Sequence, residues 1–154
     1  MPQRTVASPI GAIRIVSADG MIASIAIAAE RQPDIAGDDA LLTRAADQLI
    51  EYFAGTRRQF DLPVLPSPSP RGEALRTAIV DIGYGTTATY GALAIAVASG
   101  ARAIGQACAR NPLPLLIPCH RVLASNGLGH YSAGAGAQTK RWLLAHEAGD
   151  LWAR

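Results

Sequence analysis

Cysteine, histidine and arginine stand in succession at 119–121, behind an apolar run and a proline: Leu115-Leu116-Ile117-Pro118-Cys119-His120-Arg121-Val122. A thiol becomes a strong nucleophile once deprotonated, and neighbouring positive charge favours the thiolate. An imidazole beside it can take the proton. The chemistry open to this trio is attack by sulfur on an electrophilic carbon. The run before it reads as strand-like and buried, so the trio is expected at the edge of an interior cavity. A structural cysteine closing a core strand is the competing reading, because free cysteine is among the most buried residue types.

Other residues could serve that chemistry. Gly127 to Gly136 is rich in small residues and carries one Tyr and one Ser, Tyr131 and Ser132. Such a stretch suits a loop whose backbone comes close to a ligand, and equally an ordinary surface loop. Gln138 to Glu147 suits a terminal helix, in which Glu147 is either a solvated residue or the carboxylate that orients a catalytic histidine. The two cysteines, Cys108 and Cys119, make no disulfide framework and read as free thiols in a reducing cytosol. A zinc site from Cys108, Cys119 and two of His120, His130 and His146 is conceivable by ligand type. The spacings match no common zinc pattern, and a metal would occupy the nucleophile.

The elements that must position these residues follow from the rest of the chain. Residues 4–28 alternate between turn signals, with Thr5 to Ser8, Ile13 to Val16 and Met21 to Ile27 as strands around Pro9-Ile10-Gly11 and Ala18-Asp19-Gly20. A helix from Asp39 to a stop at Gly55 is expected to cover one face of that sheet. The proline-rich segment Leu62 to Pro70 reads as a semi-rigid extended spacer. Beyond it a helix is expected over Glu73 to Ile82. A second helix follows from Tyr90, with Thr89 as its N-cap, and a third spans Ala101 to Arg110. The last two, joined by a Gly-containing turn, fit a helix-turn-helix, as they would an ordinary helical hairpin. The fold class expected is α+β, with a small N-terminal antiparallel sheet and a helix, then a mainly helical C-terminal domain.

Charge is uneven. Residues 1–70 carry six Arg against eight acids, and residues 71–154 carry eight basic residues against four acids. The second half is therefore the one suited to a polyanion. No apolar run approaches the length of a membrane span, and Met1-Pro2-Gln3-Arg4 leads into alternating residues rather than an apolar leader. A cytoplasmic protein without membrane association is expected.

Several blocks in register carry a resemblance. They are Asn111-Pro112, Ile117-Pro118-Cys119-His120-Arg121-Val122, Gly129-His130-Tyr131-Ser132, and Lys140-Arg141-Trp142-Leu143-Leu144 with Glu147. Upstream come Gly85 to Ala94, Ala101 to Gly105, Ser8 to Gly11 and Glu51 to Gly55. Together they resemble the O6-alkylguanine-DNA alkyltransferases, also called methylated-DNA–protein-cysteine methyltransferases.

That resemblance implies an N-terminal ribonuclease-H-like α/β module over 1–65 and a helix-turn-helix and active-site domain over 66–154. It implies single-turnover repair, in which Cys119 attacks the alkyl carbon on O6 of guanine and keeps the alkyl group. His120 would act as base through a water, oriented by Glu147, while Asn111 would bridge the helix-turn-helix to the cysteine loop. Tyr90 would hydrogen-bond the flipped base, Ser132 and Tyr131 would hold it, and Arg102 would fill the gap in the stack. The Cys119 and Val122 carbonyls would accept from the exocyclic amine, and Arg121 would join the substrate contacts. The partner implied is the minor groove of double-stranded DNA containing O6-alkylguanine, met by a monomer with neither metal nor organic cofactor.

Arg71 and Arg76 depart from the family's usual aromatic, Gly83 from a common proline, and Ala133 and Gly136 from a usual Gly and Leu. The last two are expected to enlarge or loosen the pocket. Two other readings remain: a non-catalytic alkylated-DNA lesion-binding protein, in which the nucleophile would be replaced, and a cysteine hydrolase or transferase acting on a small molecule, which would need no helix-turn-helix.

Overall fold

The structure is a computed structural model of the chain and describes residues 1–149; residues 150–154, the end of the expected second domain, lie outside the described residues. The chain divides into two compact units between Leu65 and Pro66.

The first unit is built on three antiparallel strands in the order β1-β2-β3, Gln3–Val6, Ile13–Ala18 and Met21–Ile27. Alternation in β2 sends Ile13, Ile15 and Ser17 to the buried face. A register shift between Val16 and Ser17 marks the end of regular pairing with β3. Helix α1, Asp39–Phe53, buries Leu42, Ala45, Ala46 and Leu49, the i, i+3, i+4, i+7 stripe that its sequence shows. Each fully buried Ile or Leu here contributes about 1.5–3 kcal/mol of transfer free energy. The one buried polar residue of β2, Ser17, donates to the Asp38 carboxylate at 2.7 Å.

Two expectations for the middle of the chain are corrected. The proline-rich segment is not a free spacer throughout. Val64 bridges to Ile22, with the Ile22 N–H donating to the Pro63 carbonyl at 2.8 Å and the Leu65 N–H to the Ile22 carbonyl at 2.9 Å. A proline supplies no donor, but its carbonyl still accepts. The following helix, α2, spans Pro70–Val80 and so begins three residues earlier than the periodicity indicates. Ser69 caps it, accepting from the Gly72 N–H, and Pro70 occupies the first helical position, where a missing N–H costs nothing.

In the second unit, α3 (Tyr90–Ala96) starts at the Thr89 cap, whose hydroxyl accepts from the Ala92 N–H at 3.1 Å. Helix α4 (Ala101–Ala109) follows at 106° to α3 across a four-residue turn, Val97 to Gly100. That angle and turn length fall within the range of helix-turn-helix pairs. Short strands β4 (Ala88–Thr89) and β5 (Val122–Leu123) pair in parallel, joining the start of α3 to the end of the Cys119 turn. Helix α5, Ala137–Glu147, packs against that turn. Among the described residues no single helix is long and apolar enough to cross a membrane.

The run before Cys119 is not a strand. Pro112, Pro114 and Pro118 deny it a ladder, Leu115 sits at φ 76°, and the Ile117 N–H closes a turn on the Leu113 carbonyl at 2.9 Å. It is nonetheless interior, since Leu113, Leu115 and Ile117 are all buried. Hydrophobicity there secures burial without imposing a strand.

Candidate active site

Cys119 opens a single 3-10 turn, Cys119–Arg121, whose side chains are all buried. Cys119 lines a cavity of about 240 Å³. Helix α4 supplies one wall through Gly105, Cys108 and Ala109, and the loop after β5 supplies another through His130, Tyr131 and Ser132, with Tyr90 completing the lining. The loop lies tight against Tyr90. At Gly129 the backbone has φ 76°, and a Cβ there would sit 3.1 Å from the Tyr90 ring, so the position needs glycine twice over. The Tyr90 hydroxyl donates to the His130 carbonyl at 3.4 Å, and the Ser132 hydroxyl donates to the Ala109 carbonyl at 3.0 Å.

Asn111 ties α4 to the cysteine turn. Its Nδ2 donates to the Cys119 Sγ at 3.2 Å and to the Ile117 carbonyl at 2.9 Å, while its Oδ1 accepts from the Leu113 N–H at 3.0 Å. All three contacts fix the amide orientation, so that a donor faces the sulfur.

Behind the sulfur lies a buried charged cluster. His120 Nε2 and the Glu147 carboxylate are 2.7 Å apart, each side chain about 1% exposed. Arg121 reaches the same carboxylate with Nε at 2.7 Å and Nη2 at 3.1 Å, and donates from Nη1 to the Ile82 carbonyl at 2.7 Å. Its guanidinium also lies 5.7 Å from the Tyr84 ring centroid. Full burial pushes the His120 pKa down, against the upward pull of Glu147, and favours the neutral imidazole. With Nε2–H on the carboxylate, the basic lone pair is then on Nδ1, which is buried without a protein partner.

The thiol environment differs from the one expected from sequence adjacency. Burial raises the Cys119 pKa, opposed first by the Asn111 hydrogen bond and then by the positive charge of Lys140. Arg121, the next cation in sequence, is committed to Glu147 instead. Lys140 is buried, donates to the carbonyls of Val122 at 2.6 Å and His130 at 3.1 Å, and lies 5.7 Å from the Tyr90 ring centroid. Its position in the Lys140-to-Leu144 block does not by itself assign it a role. A signal exists in hindsight: Lys140, Leu143 and Glu147 fall at i, i+3 and i+7 on one helical face.

Of the site residues expected from sequence, Cys119, Tyr90, Tyr131 and Ser132 line the cavity, and Asn111, His120 and Glu147 stand behind it. The Val122 carbonyl is held by Lys140, the Cys119 carbonyl accepts from the Val122 N–H, and Arg102 is exposed near the start of α4. Arg121 does not line the cavity, and neither do Ala133 and Gly136. Gly136, at φ 64°, turns the chain into α5, a conformation that glycine favours. Arg76 pairs with Glu73 at 3.6 Å along α2, and nothing in the structure explains the arginine at 71. Cys108, weighed from sequence only as a free thiol or a zinc ligand, is a second cavity-lining thiol. Its spacing from Ile104 marks it only as a buried helical position.

Similar known proteins fall in one family. Residues 1–66 match the 6-O-methylguanine DNA methyltransferase ribonuclease-like domain, and residues 72–149 match the DNA binding domain of the same family. The constitutive methylated-DNA–protein-cysteine methyltransferase of Bacillus subtilis is 41% identical over 67% of this chain and 64% of its own length. The methylated-DNA–protein-cysteine methyltransferase of Metallosphaera sedula is 35% identical over 93% of this chain and 90% of its own. Among solved structures, Mycobacterium tuberculosis OGT in complex with DNA superposes with a TM-score of 0.84 at 30% identity, covering 98% of this chain and 95% of that one. A turn that presents a cavity-facing thiol, braced by an amide and backed by a buried histidine–carboxylate pair, thus occurs within domains that match end to end, and the chain belongs to the 6-O-methylguanine DNA methyltransferase family.

Proposed function

We propose that the protein repairs O6-alkylguanine in double-stranded DNA by flipping the nucleotide out of the stack and taking its alkyl group irreversibly onto Cys119. One observation carries this reading above the others: Cys119 lines the cavity while a buried His120–Glu147 pair behind it leaves the imidazole Nδ1 without a protein partner. A structural thiol has no use for such a pair. Burial keeps the thiol protonated at rest, so an activating base is required at the moment of reaction.

His120 takes the thiol proton through a bridging water, and Glu147 stabilises the imidazolium that forms. The sulfur attacks the alkyl carbon; the carbon–sulfur bond forms as the carbon–O6 bond breaks, and the electron pair passes into guanine. Guanine regains a proton on a ring nitrogen from a cavity tyrosine hydroxyl, Tyr90 or Tyr131, and that hydroxyl recovers it through solvent as His120 gives up the thiol proton, so imidazole and phenol both end neutral. The Tyr131 hydroxyl is buried without a protein partner and suits the incoming base. The product is a thioether, and none of the residues at the site reverses it, so each molecule acts once.

Access to O6 requires extrusion from the duplex, which costs least for a damaged, poorly paired base. Helix α4, with small residues and an exposed Arg102, enters the minor groove, and Arg102 fills the space the flipped nucleotide leaves. Affinity comes from phosphate contacts and falls with salt. One copy suffices per lesion.

The test is a titration of excess duplex containing O6-methylguanine against a fixed amount of protein. Guanine restored should plateau at one equivalent per protein, and Cys119→Ala should restore none. Repeated turnover contradicts the irreversible mechanism. Tight lesion-dependent binding with no restoration favours a lesion-binding protein, and no lesion-dependent binding favours a small-molecule transferase.

A further inference from the structure

The alkyl-transfer chemistry leaves one buried nucleophile of the cavity unused. Cys108 lines the same cavity as Cys119, and both are free thiols. Asn111 is hydrogen-bonded to both residues: its main-chain N–H donates to the Cys108 carbonyl and its Nδ2 donates to the Cys119 sulfur, each at 3.2 Å. Cys108 is the penultimate residue of α4, in its last turn, next to the irregular connection through Asn111 and Pro112. A small adjustment of a helix end is easier than one of a helix interior.

We propose that Cys108 and Cys119 are a modification site for peroxide, which joins them in a reversible disulfide within the cavity they both line. In the first step the Cys119 thiolate attacks hydrogen peroxide. A sulfur–oxygen bond forms, the oxygen–oxygen bond breaks and hydroxide leaves, giving the sulfenic acid. In the second step the Cys108 sulfur attacks the sulfenic sulfur. The sulfur–sulfur bond forms, the sulfur–oxygen bond breaks, and the Cys108 proton departs with the hydroxide as water. The two sulfurs are oxidised by two electrons in all, and peroxide is reduced to two waters once the first hydroxide takes the proton released when the thiolate formed.

The division of labour follows from the surroundings of each sulfur. Cys119 has the Asn111 donor, Lys140 and a histidine base nearby, and is the one able to attack peroxide. Cys108 is buried, and its pKa is pushed up to about 12, with a negative charge on Cys119 opposing its ionisation. Cys108 is therefore a poor competitor for alkyl groups. It can still resolve an electrophilic sulfur held in the same cavity, slowly, because little of it is thiolate. The disulfide would remove the acceptor sulfur from use and shield it from irreversible oxidation to the sulfinic acid.

The experiment exposes the intact protein, wild type and Cys108→Ala, to hydrogen peroxide and follows intact mass and peptide linkage; Cys108→Ser serves if the alanine variant is poorly folded. Wild type is expected to lose two hydrogens in mass and to yield a linked Cys108–Cys119 peptide that dithiothreitol separates. The Cys108 variants are expected to gain oxygen on Cys119 that dithiothreitol does not remove. Oxygen gained on Cys119 of the wild type at the same rate as in the variants, with no linked peptide, overturns the proposal. A linkage between two copies through Cys119 overturns it as well. Mass and linkage are read without DNA, so the result stands apart from whether the protein accepts alkyl groups.

Discussion

The His120 imidazole and the Glu147 carboxylate, 27 positions apart in the chain, meet at 2.7 Å in a site that leaves each side chain about 1% exposed. The contact joins the turn after Pro118 to the last residue of α5, and it decides which imidazole nitrogen carries the proton. Arg121 shares the same carboxylate, so one acid both orients the base and neutralises a buried guanidinium.

Loss of that acid should therefore damage stability and chemistry together. Glu147→Ala leaves the Arg121 cation buried without its partner, and breaking such a pair costs about 3–5 kcal/mol. Urea unfolding should show the midpoint shift. Glu147→Gln retains hydrogen-bonding capacity but loses the charge that stabilises an imidazolium, so alkyl acceptance at saturating lesion DNA should fall further than stability alone explains. Equal acceptance rates in Glu147→Gln and wild type would remove Glu147 from the chemistry.

The pH dependence follows from the burial of His120. Its folded pKa lies below the ordinary value of 6.5, so between the two values the unfolded chain binds more protons than the folded one. Stability from this group is present above 6.5 and is lost as pH falls through the folded value. Thermal midpoints should decline into the acid range, and less so in His120→Asn. The acceptance rate should hold through the ordinary imidazole pKa and drop only as pH falls through the lower folded value.

Asn111→Ala removes the donor to the Cys119 sulfur and leaves the Leu113 N–H without its acceptor. An unsatisfied buried group costs about 1–3 kcal/mol. The thiol, already raised by burial, should rise further, so iodoacetamide should label Cys119 more slowly at neutral pH. Unchanged labelling would show that the amide does not act on the sulfur.

Lys140→Met tests the cation that adjacency in sequence did not reveal. Removing its charge should raise the Cys119 pKa further, shifting the pH profile of iodoacetamide labelling to higher pH. The Val122 and His130 carbonyls lose their buried donor, at about 1–3 kcal/mol of stability in urea unfolding. Arg121→Met should leave that labelling profile nearly in place, because its guanidinium faces Glu147.

Local patterning was legible wherever one periodicity had one consequence. The strand Met21–Ile27, the helix from Asp39 and the Thr89 cap all stand where alternation, the apolar stripe and cap chemistry put them. The run Leu115 to Ile117 misled because apolar character reports burial, while Pro112, Pro114 and Pro118 decide the backbone. Within the site, only the family resemblance joined Cys119 and His120 to Asn111 and Glu147; spacing alone left Glu147 open between a solvated residue and an orienting carboxylate. Side-chain direction was out of reach: the trio 119–121 splits, with sulfur towards the cavity and Arg121 towards α5. Lys140 and Cys108 come to the sulfur from other elements of the second unit, and no local pattern announces tertiary proximity.

The most direct measurement is the intact mass and peptide map of the protein after exposure to a duplex carrying a single O6-methylguanine. The expected result is a gain of one methylene, confined to the peptide containing Cys119 and absent in Cys119→Ala. A methylene found on Cys108 or another residue, or an unchanged mass when the lesion has been lost from the DNA, would contradict it.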